Sequence, residues 1–215
     1  MIVSSDKEYI ESKLIRQGKS SIKKEFIQFA NWMVLTYSIS PLNVTYEIIE
    51  VTKRPRVMII LEREKEKNAF YRDMYFLDSE KEKTIVNWLK TNLGSKLDLD
   101  NLFIVIKDFE SIAKDEANNL IPEYRIEELI KNLDINDLWK IFRLWYDTTF
   151  FFYTDKQIEE YSKKGIEKYL ADCYFDLLKE YDEFDYIKRE DFKIKLDSKE
   201  NFDNNYQSNW FYYTR

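Results

Sequence analysis

Histidine is absent from this chain of 215 residues, and cysteine occurs once, at Cys173. Without an imidazole there is no Ser-His-Asp or Cys-His nucleophile system and no histidine ligand for a metal. The one side chain that titrates unperturbed near neutrality is missing as well. One thiol can neither close an internal disulfide nor build a structural zinc site. Glycine and proline number three each. The glycines are too few and too scattered for a G-x-x-x-x-G-K-[ST] loop or a G-x-G-x-x-G turn, and long flexible linkers are not expected. No apolar run approaches the roughly eighteen residues of a membrane span. The strongly apolar patch "TTFFFYT" at Thr148 to Thr154 is strand-sized. The opening "MIVSSDKEY" turns charged by Asp6, which is not the pattern of a signal peptide. A bacterial protein of the reducing cytoplasm is the expectation, with no cofactor and no membrane partner.

What is present is bulk and charge. The hydrophobic fraction is 44% and the charged fraction 34%, which places the chain among folded rather than disordered proteins. Aromatic residues reach 17%, so the core is expected to rest on Phe, Tyr and Trp. The net charge of −6 is unevenly placed. Residues 172–185, "DCYFDLLKEYDEFD", set Asp172, Asp176, Glu180, Asp182, Glu183 and Asp185 against Lys179 alone. Residues 53–72, "KRPRVMIILEREKEKNAFYR", have a basic excess from Lys53, Arg54, Arg56, Arg63, Lys65, Lys67 and Arg72. Such asymmetry steers partners.

The periodicities predict a single α+β domain over 1–215, with sub-modules 1–108 and 109–215 as the alternative division. A mixed or antiparallel sheet packs against several helices. Helical spacing runs over 20–36, 80–93, 109–120 and 123–133, with Pro122 at the start of the last. Residues 44–52 and 57–62 read as a β-hairpin, the second strand apolar on both faces and therefore central. "LFIVI" at 102–106 is a third strand. Leu138, Ile141, Phe142 and Trp145 follow i, i+3, i+4, i+7, which predicts a helix there and a strand over 149–154. Residues 156–181 read as one long helix with Gly165 inside it. "FKIKL" at 192–196 and Trp210 to Tyr213 alternate and are expected to pair as antiparallel strands across a loop at 197–208. A faint echo links the halves: a strand, helix, strand order ends in "DFE" at 108–110 and in "DSKE" at 197–200. Coincidence explains such an echo more readily than duplication.

Four groups of residues bear on function. Glu47, Glu50, Glu62 and Glu64 on the hairpin, with Lys53 and Lys65 near, loosely resemble the acids of a Mg²⁺-dependent nuclease. An acid-x-Lys pattern on the second strand is missing, and exposed charge at strand ends is the simpler reading. In the basic segment Phe70 and Tyr71 interleave with the cations, as in single-strand nucleic-acid grooves. The acidic chain, with a pI near 5.1, disfavours nucleic acid as the partner.

The acidic residues are more informative. Asp172, Asp176, Glu180 and Glu183 fall in one stripe of the expected helix. Like charges four apart, crowded toward a helix C-terminus, weaken that helix. Cations of the 53–72 segment packed inside the fold, or a basic partner outside it, would explain them; a solvated acidic face is the plain alternative. Asp203, Asn204, Asn205 and Tyr206, on the expected loop, offer adaptable hydrogen bonds beside an aromatic anchor. The resulting expectation is a small non-catalytic inhibitor of the immunity or antitoxin type. It would cover a basic surface of a partner protein, such as the cleft of a nuclease toxin, with Asp172, Asp176, Glu180, Asp182, Glu183, Asp185 and the 203–206 residues. The Mg²⁺-dependent nuclease, or an accessory subunit of a nucleic-acid machine, is the alternative.

Overall fold

The computed structural model describes residues 3–73 and 75–215. It is an α+β protein with two small mixed sheets of three strands. The chain divides into two compact units, Met1–Ile112 and Ala113–Arg215.

The first unit opens with α1 (Lys7–Arg16), a 3₁₀ turn at Lys24–Phe26 and α2 (Ile27–Tyr37). Strands β1 (Pro41–Ile48) and β2 (Pro55–Leu61) form an antiparallel hairpin, with a bulge between Pro41 and Asn43. Short α3 (Glu64–Asn68) and α4 (Ser79–Leu93) then carry the chain across one face to β3 (Phe103–Asp108), which pairs parallel to β2. Asp78 starts α4 by accepting the amides of Glu80 and Lys81, and Gly94 follows its last turn. Central β2 is buried on both faces, as a strand covered from two sides must be. Val57, Ile59 and Leu61 point into a core with Phe29 and Met33 of α2 and Ile85 and Leu89 of α4. Met58 and Ile60 point the other way. On that face Tyr9 of α1 stacks on Phe109 at 5.0 Å, and Asn43 donates to the Ser12 hydroxyl at 3.2 Å.

Helix α5 (Phe109–Leu120) contains the boundary between the units. The second unit continues with α6 (Glu123–Leu133), hairpin strands β4 (Leu138–Leu144) and β5 (Asp147–Phe152), and α7 (Asp155–Ser162). After α8 (Ile166–Lys179) comes β6 (Lys195–Ser198), parallel to β5, and then α9 (Lys199–Tyr206) and α10 (Trp210–Tyr213). Phe150 and Phe152 enter a core with Ile126 and Leu133 of α6 and Leu170, Tyr174 and Leu178 of α8. Phe151 faces the opposite side, where α9 and α10 cover it through Phe202 and Trp210.

The two units repeat one plan in detail: helix, hairpin, two helices, parallel strand, helix. The hairpin bulge recurs between Leu138 and Lys140. Glu110 and Glu200 follow the third strand of their units, and each carboxylate accepts the first amide of the helix after the hairpin, from Glu64 at 3.2 Å and from Asp155 at 3.1 Å. The backbone amides of the same two glutamates donate to Glu62 and Tyr153. The side chains of Glu66 and Gln157 reach back to the helix-starting amides of Arg63 and Thr154. The echo in the sequence is thus a shared topology with shared capping chemistry.

Several local expectations fail for identifiable reasons. Residues 138–144 are a strand, not a helix. The bulge places Leu138 and Ile141 on the same buried side although they are three apart, which imitates helical spacing. Arg143 is no break in the strand, because its guanidinium reaches the carbonyls of Asn118 and Ile121 at 2.7 and 2.9 Å. The expected 156–181 helix is two helices, parted at Gly165 in left-handed backbone. The third strand of unit two begins at Lys195, not Phe192; Phe192 is buried against Tyr174. The 197–208 loop is largely α9, capped by the Ser198 hydroxyl at the Asn201 amide (2.7 Å). The expected strand at Trp210 to Tyr213 is helix α10, started by Asn209, whose side chain accepts the Phe211 amide at 2.9 Å.

Candidate functional site

The acidic residues of 172–185 lie on and just beyond α8. The helix ends at Lys179, so Asp182, Glu183 and Asp185 belong to the turn that follows rather than to a continuous stripe. Four cations organise this face. Arg189 donates to the Asp172 carboxylate at 2.8 Å and pairs with Asp176, and its guanidinium lies 4.3 Å from the Phe175 ring centre. That pairing draws the Asp172 carboxyl below its ordinary range. Arg125 of α6 grips Glu180 in a two-pronged bond of 2.9 and 3.0 Å.

Lys179 clasps the turn. Its ammonium donates to Asp182 at 2.6 Å, to Asp185 and to the Ile187 carbonyl at 3.1 Å. Buried Asp182 also accepts the amides of Tyr186 and Ile187 at 3.0 and 2.9 Å, which makes it a structural cap. Lys179 and Lys188 pull the Asp185 carboxyl down to about 2. The charge that looks unexplained in sequence is therefore held by Arg125, Lys179, Lys188 and Arg189. Asp176 and Asp185 still present most of their side chains to solvent, at 68% and 69% exposure.

Asp203, Asn204, Asn205 and Tyr206 are on α9. Asp203 pairs with Lys199 and accepts the Ser208 hydroxyl at 2.6 Å; Asn205 donates to Asn201 at 2.7 Å. Tyr206 packs edge-on to Tyr213 at 4.9 Å. Helices α8 and α9 lie on opposite faces of the β4–β5–β6 sheet, because one packs on Phe150 and the other on Phe151. The structure does not bring the acidic turn and the 203–206 residues into one patch.

The hairpin carboxylates are dispersed as well. Glu47 pairs with Arg56, and Glu62 accepts from Arg16 at 3.1 Å. Among the described residues no three His, Cys, Asp or Glu side chains gather closely enough to hold a metal ion. The cations of 53–72 are also distributed. Arg54 donates to the Asn101 carbonyl at 3.1 Å, and Lys67 meets buried Asp108 at 2.8 Å. Burial pushes the Asp108 carboxyl up, but the bonds from Lys67 and Ser111 outweigh it and hold it below its ordinary range. Phe70 is fully buried and cannot stack on a base; Tyr71 spends its hydroxyl on the Ile106 carbonyl at 2.9 Å.

Two surfaces of the first unit went unread in sequence. An open groove of about 470 Å³ runs over β2 and β3, walled by Arg56, Met58, Val105 and Lys107 and by Tyr75 and Phe76. The equivalent sheet positions of the second unit, Asp147, Thr149, Lys195 and Asp197, border a smaller cavity of about 300 Å³ beside Tyr213. The second surface is the outward side of α2, where Ile27, Val34 and Leu35 are exposed. A signal for it exists in the sequence: Phe26 to Tyr46 contains no Asp, Glu, Lys or Arg. No helix among the described residues is long and apolar enough to cross a membrane.

No protein-family model matches this chain, and neither a curated protein nor a solved structure matches it.

Proposed function

We propose that this chain is a non-catalytic protein-binding protein that acts as an inhibitor of the immunity or antitoxin type, and that the acidic face of α8 and its following turn meets a basic surface of the partner. The observation that carries the reading is the fixed array of Asp172, Asp176, Glu180 and Asp185, held by arginines and lysines yet open to solvent at Asp176 and Asp185. Carboxylates already locked in place lose little conformational freedom when a basic surface arrives. A field of this kind acts mainly on the rate and specificity of association. Residues 203–206 lie on the far side of the sheet and are not needed for that contact.

The test is capture from the native host with the wild-type chain and with an Asp176→Lys, Glu183→Lys variant, followed by association kinetics at two salt concentrations. A true partner loses roughly tenfold or more in on-rate with the variant, and its salt dependence flattens. A partner that binds both chains at one rate removes the acidic face from the reading.

A further inference from the structure

The groove over β2 and β3 has a counterpart in the second unit that is partly filled. Counted back from Arg63 and Glu110, and from Thr154 and Glu200, the positions of Arg56, Met58, Val105 and Lys107 are those of Asp147, Thr149, Lys195 and Asp197. In the second unit a segment of the chain itself closes over these residues. Tyr213 of α10 donates its hydroxyl to the Asp197 carboxylate at 2.6 Å, and Lys195 donates to Asp147 at 2.7 Å. In the first unit the hollow is larger, about 470 against 300 Å³. The polar anchor is also reversed, because the position of the acceptor Asp197 is held by the donor Lys107. Among the described residues Lys107 makes no hydrogen bond or ion pair. The other cation of the groove, Arg56, pairs with Glu47 through a terminal nitrogen and keeps a buried Nε with no acceptor. The acids at the rim are Asp6, Glu8 and Glu82. Asp6 accepts the Val3 amide at 2.9 Å, Glu8 stands 3.9 Å from Arg56, and none of the three pairs with Lys107. The wall opposite is held in place: Asp73 accepts the amides of Tyr75 and Phe76 at 3.0 Å each, and Tyr71 bridges to Leu77. That turn leaves Tyr75 and Phe76 78% and 61% exposed.

We propose that this groove binds a short segment of a partner protein, one that brings an aromatic side chain over Met58 and Val105 and a carboxylate to Lys107. The second unit shows the kind of cover such a sheet face takes: a chain segment with a ring above the sheet and a polar bond at the position of Lys107. The reversal of that position from acid to base sets the chemistry, since an ammonium without an acceptor is met best by a carboxylate. Tyr75 and Phe76 offer a ring edge-on or offset contacts. The groove runs on into a second open hollow of about 620 Å³, with which it shares Tyr71, Tyr75 and Lys107. Small-molecule sites enclose most of their ligand, whereas two joined open hollows suit a length of chain. The net charge of −6 does not forbid an acidic segment, because fields at physiological salt are screened beyond about 8 Å. Neither the groove nor its occupant involves the acidic face of α8.

Selection of displayed random peptides on the full chain decides it. The wild type is expected to enrich peptides with an aromatic residue close to an Asp or Glu, and Lys107→Glu to enrich Lys or Arg in place of the acid. A peptide enriched on the wild type, synthesised and titrated by fluorescence anisotropy, loses roughly tenfold or more in affinity with Lys107→Glu and with Phe76→Ala. Both variants keep the wild-type melting temperature, since Lys107 is not buried and Phe76 is exposed. Val51→Lys, on the exposed hairpin tip, leaves the affinity unchanged. A selection that enriches nothing overturns the proposal, and so do peptides that bind Lys107→Glu as tightly as the wild type. Enriched peptides without an acid, or without an aromatic residue, overturn it too. Self-association of the full chain that Lys107→Glu abolishes assigns the groove to a second copy and overturns it as well.

Discussion

The β1–β2–β3 and β4–β5–β6 sheets are built alike and finished differently. Both units keep the hairpin bulge, the glutamate after the third strand and the side chain that reaches back to cap the next helix. These features satisfy backbone groups that the topology leaves without partners, so any chain with this plan needs them or equivalents. The surfaces are free of that constraint. The first unit covers the outer sheet face with α1 and leaves a groove over β3; the second covers it with an aromatic stack. Where the first unit buries the pair Lys67–Asp108, the equivalent positions of the second are Ile158 and Ser198, with Ser198 donating to Asp155. The shared plan fixes the frame, and the differences are where function is to be sought.

The largest test of that comparison is the buried ion pair. Asp108 is only 4% exposed, so Lys67→Met strands a carboxylate and is expected to cost about 3–5 kcal/mol in chemical denaturation. Lys67→Ile with Asp108→Ser, the pairing of the second unit, should recover most of that loss; a double variant as unstable as the single one breaks the equivalence. Next comes Trp210→Ala. Its indole stacks on Phe202 at 4.1 Å and Phe142 at 4.2 Å, and its loss should cost about 3 kcal/mol. A change below about 1 kcal/mol would mean that the aromatic cover is not what protects the second sheet.

Glu110→Ala and Glu200→Ala are expected to cost about 1 kcal/mol each, because both carboxylates serve the same helix-starting position. Melting curves that differ by more than about 1 kcal/mol between the two would show the shared role to be superficial. The smallest effect concerns acid. Asp185, held at about 2, and Asp108, also lowered, both stabilise the fold above their unfolded values near 4. That stability is lost as pH falls through the folded values, so acid titration of Asp185→Asn should show a shallower loss between about pH 4 and 2 than the wild type. Identical acid limbs would remove Asp185 from the account.

The fold class was legible because hydrophobic periodicity reports burial directly. β2, apolar on both faces, was readable as central, and Pro122 and Gly94 marked real helix ends. What escaped was set by interactions across the fold. A bulge disguised β4 as a helix. Alternating aromatics at Trp210 to Tyr213 imitated a strand, although Asn209 starts a helix there. The acidic residues were visible as charge, and Lys179 and Lys188 lie in or beside their segment, but Arg125, which holds Glu180, comes from 55 residues away and no local window joins it to them. The α2 surface was visible and unread, because an absence of charge draws less notice than an excess.

The parallel third strand also sets a timetable. Each hairpin forms from neighbouring residues, but its central strand waits for a partner about forty residues further along the chain. At the ribosome's pace of roughly 5–20 residues per second, Val57 to Leu61 and Thr148 to Phe152 each stay unpaired along one edge for several seconds. During that interval an apolar strand edge is open to wrong pairing, and to any chaperone that recognises one. The same wait recurs in each half, so synthesis of this chain passes twice through its most aggregation-prone moment.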